Sequence, residues 1–227
     1  PEAVRDTLMA MVDIASPTGR EGAMAAYLVR RLRNAGFLAF PQEVSAGRPN
    51  AVGVRPGTGE GINLLFTGHM DTSYDGDEDY LKGEGFKAKG VYRDGWIWGL
   101  GANNMKSGLA SALVALEAIH KEGIELKGDL LYGGVVGETE KAAVDEFRGD
   151  SVSGYGVGTR HLVLHGITGD YSILCEPTGL KVCTANMGAI WAKVCVGGTV
   201  SHAALSRNPS VVNAIQEMHA LQSALQK

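Results

Sequence analysis

The chain has 227 residues, enough for one generous domain or one and a half smaller ones. Hydrophobic residues make up 44% and charged residues 20%, an ordinary balance for a soluble globular protein, and the net charge of -4 leaves no basic footprint for nucleic acid. No apolar run approaches the ~20 residues of a membrane helix, and no signal-peptide pattern opens the chain.

Apolar residues recur at helical spacing over residues 1–15, where Leu8, Met11 and Val12 form one stripe. They do so again over 21–35, with Met24, Tyr27, Leu28 and Leu32. The break "SPTGREG" combines Pro17 with Gly19, Thr18 stands where it can cap the second helix, and Gly36 ends that helix. Extended segments follow in "FLAFPQEV", "NAVGVRPG" and "INLLFTG". The last is short and unalternating, as expected of a strand buried on both faces. A polar loop rich in Gly, Asp and Lys occupies 72–95. "WIWGLGANNMKSG" then flows into a helix striped by Leu109, Ala112, Leu113, Leu116 and Ile119 and stopped by Gly123.

"DLLYGGVVGETE" reads as another buried strand, "GYGVGTRHLVLHG" as a turn into a short helix, and "DYSILCEPTG" as a further strand. "GAIWAKVCVGG" reads as a strand too, and "NPSVVNAIQEMHALQSALQK" as a final amphipathic helix. Strands alternating with helices predict an α/β fold whose mostly parallel sheet is sandwiched by helices. The 32 glycines, about twice the usual share, fall at the ends of apolar runs, where tight turns require them. Cys175, Cys183 and Cys195 form an odd set without CxxC spacing and read as buried free thiols in a reducing compartment, which implies the cytoplasm. The chain lacks an initiator Met and stops at a helix with no closing strand, so it reads as a piece of a longer polypeptide.

Three groups that could do chemistry follow predicted strands, where open α/β sheets place their ligands. In "FTGHMDT", His69 can bind a metal through one ring nitrogen while Asp71 takes the other N–H; a structural histidine with Asp71 in a turn is the competing reading. In "VVGETE", Glu138 and Glu140 share one side if the strand persists, a pair suited to general acid–base work; "ETEKAAVDEF" equally suits a solvated first helical turn. In "CEPTG", Glu176 stands after an apolar run and needs a cation or backbone donors. His161 and His165, four apart on a predicted helix, have a spacing that can share a zinc ion but rarely does. "GYGVG" and "GLGANN" mimic nucleotide-binding turns without completing a GxGxxG unit, which leaves a Rossmann-like nucleotide module as a remote alternative.

Together these elements resemble the M20 family of metal-dependent amidohydrolases and peptidases. "GHMDT" is similar to the family's HxDT element, "GLGANNMKSGLAS" to its GxGxxDxKGG turn, "VVGETE" to DEExG, "CEPT" to EPT, and "GGTVSHAA" to the stretch that opens its lid domain. The resemblance implies a zinc-exopeptidase-like catalytic domain over 1–180 and the beginning of a smaller α+β lid domain over 181–227, through which the full-length protein forms a homodimer. It implies that His69 and Glu176 hold a metal ion, that Asp71 orients His69, that Glu138 is the general base and that His202 binds substrate. The implied activity is cleavage of the amide bond of an N-acyl amino acid or small peptide, as a deacetylase, deacylase or exopeptidase, with zinc, or cobalt or manganese, as cofactor.

Three departures bear on that expectation. Asn104 stands where the family has the aspartate that bridges two metals, Thr139 replaces a ligand glutamate that Glu140 would have to supply, and the family's last histidine ligand falls beyond Lys227. The expectation is therefore at most one well-held ion. The alternative is a catalytically weakened relative that binds an acylated amino acid or peptide without turnover.

Overall fold

The computed structural model describes residues 1–139, 154–185, 187–188, 192–205 and 207–226. The chain divides into two compact units, Pro1–Met187 and Gly188–Lys227.

In the first unit, helices α1 (Glu2–Val12) and α2 (Gly22–Asn34) form at the two apolar stripes, burying Leu8, Met11 and Val12 from one and Met24, Leu28 and Leu32 from the other. Gly36, with φ of +75°, follows α2 in the left-handed conformation that closes a helix. Thr18 does not cap α2 as its sequence position suggests. The residue at that position is Glu21, no side chain caps the helix, and the Thr18 hydroxyl is engaged elsewhere.

The main sheet contains β1 (Leu38–Ser45), β2 (Arg48–Arg55), β3 (Leu64–His69), β6 (Leu130–Val135) and β7 (Tyr171–Leu174) in the order β1-β2-β6-β3-β7. β6, β3 and β7 run parallel, while the β1–β2 hairpin pairs antiparallel to β6. Side chains of a strand alternate between faces, and each face has its own core. Ala51, Leu130 and Tyr132 pack with α1, α2 and helix α3 (Ser107–Lys121), whereas Val52, Leu65, Leu131 and Val135 pack with Leu162 of helix α4 (Val157–Leu164). The expected α/β sandwich is present.

The loop at 72–95 holds an element beyond its polar composition. A short hairpin pairs β4 (Val91–Arg93) with β5 (Trp96–Trp98) around Asp94 and Gly95, both with positive φ. Asp-Gly favours that two-residue turn, whose twist matches that of the flanking strands.

In the second unit, helix α5 runs from Ala214 to Leu225, six residues later than the amphipathic pattern begins, because the Asn213 side chain accepts the Ile215 and Gln216 N–H groups and starts the helix there. "GAIWAKVCVGG" corrects another expectation: its described residues 192–198 form no strand. A strand exists only with a ladder partner, and none pairs with it among the described residues. The three cysteines are free, but Cys175 is half-buried and Cys183 and Cys195 are exposed, not buried as expected. No helix or strand forms between β7 and Ala203 among the described residues, so no core closes over those two thiols. No helix among the described residues is long and apolar enough to cross a membrane.

Candidate metal centre at the strand ends

Because β3, β6 and β7 are parallel, their carboxyl ends lie along one edge of the sheet. His69 is the last residue of β3, Glu138 comes three residues after β6, and Glu176 two residues after β7. Two close approaches fix these ends. A Cβ at Gly68 would collide with the Met105 side chain, and one at Gly108 with the Cys175 carbonyl, so helix α3 and its preceding turn sit directly on β3 and on the segment carrying Glu176.

His69 is buried, with 2% of its side chain exposed. Its Nδ1 lies 2.9 Å from the Asp71 backbone carbonyl, which can only accept, so Nδ1 carries a hydrogen and Nε2 faces the site. Nε2 is 2.7 Å from Asn104 Oδ1, 3.4 Å from Glu176 Oε1 and 3.6 Å from Glu138 Oε2. Burial pulls the His69 pKa down, but Glu176, Asp71, Asn104 and Glu138 outweigh it and raise the value to about 9. The pocket around Nε2 thus has an excess of negative potential.

Asn104 reaches this position through an irregular turn, Ala102–Lys106, in which Asn104 and Met105 leave helical dihedrals. The Asn104–Met105 peptide is cis. Lys106, buried at the end of the turn, donates to the Met11 and Ile14 carbonyls at the end of α1 and ties the turn to that helix.

Asp71 holds the site together in a way its spacing from His69 does not reveal. Its carboxylate Oδ1 stands 3.7 Å from His69 Nδ1, so orientation of the ring comes from the Asp71 carbonyl. The carboxylate, with no side-chain exposure, accepts instead the Glu138 N–H at 3.1 Å, the Thr139 N–H at 2.8 Å and the Thr18 hydroxyl at 2.9 Å. The premise that β6 continues through Glu138 fails, because the strand ends at Val135 and Gly137, at φ +65°, turns the chain. Glu140 lies outside the described residues.

His202 belongs to the second unit, where its Nδ1 accepts the Ala204 N–H. His161 and His165 stack with ring centroids 3.8 Å apart, and His165 Nδ1 bonds the His161 carbonyl. A second acidic group, Asp75, Asp77 and Glu78, is a loop tie: Asp75 pairs with Arg20, and Glu78 accepts the Asp75 and Gly76 N–H groups.

His69, Glu138 and Glu176 offer ligand atoms within 4.8 Å of one another. One imidazole nitrogen in a fixed tautomer, two carboxylates and an amide oxygen form a donor set that suits a divalent cation such as zinc. The residues present fit the ion.

The family model of peptidase family M20/M25/M40 matches residues 65–227. The chain belongs to this family. It is 26% identical over 178 residues to the N-formyl-4-amino-5-aminomethyl-2-methylpyrimidine deformylase of Bacillus subtilis (strain 168), a match covering 78% of this chain and 38% of the relative. It is 29% identical over 170 residues to the deformylase of the same name from Halalkalibacterium halodurans, covering 74% and 36%. The chain therefore spans well under half the length of these two M20 relatives. Among solved structures, a tripeptidase from Staphylococcus aureus superposes with a TM-score of 0.60 at 22% identity over 98% of this chain and 56% of that one, a likeness of fold.

Proposed function

We propose that this chain forms part of a metal-dependent hydrolase that cleaves the amide bond of an N-acyl amino acid or small peptide. The observation that carries the reading is the convergence of Glu176, Glu138 and Asn104 on His69 Nε2, within 3.6 Å, at the ends of three parallel strands. His69 and Glu176 would hold one zinc ion, with cobalt or manganese as substitutes. When bound, the ion supplies Lewis-acid polarisation of the substrate carbonyl and lowers the pKa of water. Glu138, half-exposed and so open to solvent, accepts a proton from the attacking water and returns it to the leaving nitrogen. Asp71 keeps His69 in the required tautomer through its carbonyl. His202 is proposed as a substrate-binding residue, and dimerisation of the full-length protein through the unit that contains it is part of the same proposal. The names of the relatives, a deformylase and a tripeptidase, support amide substrates of this size.

Asn104 favours a second reading, in which an acylated amino acid or peptide is bound without turnover. An amide oxygen can approach a cation but brings no charge, and it is a poor bridge for two ions. One experiment separates the readings: assay of the dialysed protein with Zn²⁺, Co²⁺ or Mn²⁺ against N-formyl and N-acetyl amines, N-acyl amino acids and di- and tripeptides. Turnover that falls about 100-fold or more in Glu138→Ala, with metal content retained, supports the hydrolase. Saturable binding without turnover supports the second reading, and neither would remove both.

A further inference from the structure

Among the described residues, Glu138 has little of its own to hold it. Its side chain is 51% exposed, and its carboxylate touches only His69 at 3.6 Å and the neighbouring Thr139 hydroxyl at 3.4 Å. The loop that carries it lies beyond the end of β6, outside the ladder. Asn50 and the start of α4 tie that loop at Val136 and Gly137, and at Glu138 and Thr139 themselves the Asp71 carboxylate takes both N–H groups. A third donor to the Asp71 carboxylate is Thr18, 53 residues away in sequence. The Thr18 hydroxyl also lies 3.2 Å from the Thr139 carbonyl, so it touches both the anchor and the anchored loop.

Thr18 is itself fixed. Its N–H donates to the Thr72 carbonyl at 3.1 Å, and the Thr72 N–H donates to Ser16. The next residue, Gly19, donates to Glu21 Oε1, and Glu21 forms a buried pair with Arg48, their side chains 0% and 5% exposed. The segment "SPTGRE" is thus tied on both sides and presents one hydroxyl to a carboxylate with no side-chain exposure. A buried carboxylate with a donor missing reorients toward those that remain.

We propose that Thr18 is a positioning residue for the cation site: acting through Asp71, its hydroxyl sets where Glu138 stands against His69. The inference rests on the reading of this site as a metal centre. Its test needs a readout besides turnover, and two are at hand in the full chain. The first is Co²⁺ titration followed by visible absorption. The second is hydrogen exchange at the Glu138 and Thr139 amides, with the β3 and β6 amides as the measure of global stability.

Thr18→Val keeps the shape and removes the donor, while Thr18→Ser keeps the donor. The expected result is Co²⁺ affinity lowered about tenfold or more in Thr18→Val, as for other partners that orient ligands, with an altered absorption band. The Glu138 and Thr139 amides should exchange faster while β3 and β6 are unchanged, and Thr18→Ser should behave as the unmodified protein in both measurements. Wild-type affinity and wild-type amide protection in Thr18→Val would overturn the proposal, as would failure of Thr18→Ser to restore either. If Thr18→Val does not fold, Thr18→Ala is read by the same criteria. Should the unmodified protein and Glu176→Gln take up Co²⁺ identically, the metal reading fails; Thr18 is then judged by amide exchange alone, and unchanged protection sinks it.

Discussion

At His69 Nε2, one nitrogen faces three oxygen-bearing side chains, and the nearest of them, Asn104, is the only neutral one. That contact shows that the tip of the Gly99–Ser107 segment faces the cluster and brings an amide, not a carboxylate, to it. Replacing Asn104 by Asp adds a charge within reach of any ion held by His69 and Glu176. Ligand charge count is a main determinant of cation affinity, so Asn104→Asp should bind Zn²⁺ at least about tenfold more tightly, or take a second equivalent. Isothermal titration of both proteins reads this directly, and equal affinity and stoichiometry would mean that the position does not contribute to ion binding. His69, Glu138 and Glu176 were legible in the sequence because each follows an apolar run that ends at the same sheet edge. Thr18 was not legible: its partner lies 53 residues away, and nothing in "SPTG" distinguishes a cap from a brace.

The turn Ala102–Lys106 shows how one element borrows stability from another. Helix α1 has no basic residue in its last turn, and Lys106 supplies one from outside, donating to the Met11 carbonyl in that turn and to the Ile14 carbonyl just beyond it. The ammonium is buried, and burial lowers its pKa from 10.5 to about 8. A lysine whose folded pKa is depressed disfavours folding while it is charged. Below pH 8 that cost is present in full, and it disappears as pH rises from 8 to 10.5, where the unfolded chain binds more protons than the folded one. The stability of the wild type relative to Lys106→Met should therefore increase across that window, by a few kcal/mol at about 1.4 kcal/mol per pKa unit. Urea unfolding at pH 7.5, 9 and 10.5 measures it, and a constant difference would show that the lysine titrates as if exposed. Elements were legible where a pattern was long, as in α1, α2 and α3. They were missed where a local signal decides, as at Asp94-Gly95, or misread where a strand needs a partner, as at residues 192–198.

At the scale of the whole molecule, the candidate site draws on the ends of β3, β6 and β7, on the turn before α3 and on the Thr18 segment, all within the first unit. An ion held across these elements binds the folded state and finds no preformed site in the unfolded chain. Linkage then makes binding a measure of the fold: at a free ion concentration of 100 times Kd the folded state gains about 2.7 kcal/mol. For a unit of this size each kcal/mol moves the melting temperature by roughly 2–4 °C, which gives an upward shift of roughly 5–10 °C in Zn²⁺. Glu176→Gln removes a carboxylate that is only 27% exposed without opening a cavity, so it should fold and lose most of that shift. His161 and His165 are a histidine pair away from that cluster, stacked on each other with His165 Nδ1 bonded to the His161 carbonyl, and their double replacement by alanine should leave the shift intact. Differential scanning fluorimetry of the three proteins with and without Zn²⁺ distinguishes the sites. An intact shift in Glu176→Gln, or its loss in the double histidine variant, would move the metal away from the strand ends and take the proposed chemistry with it.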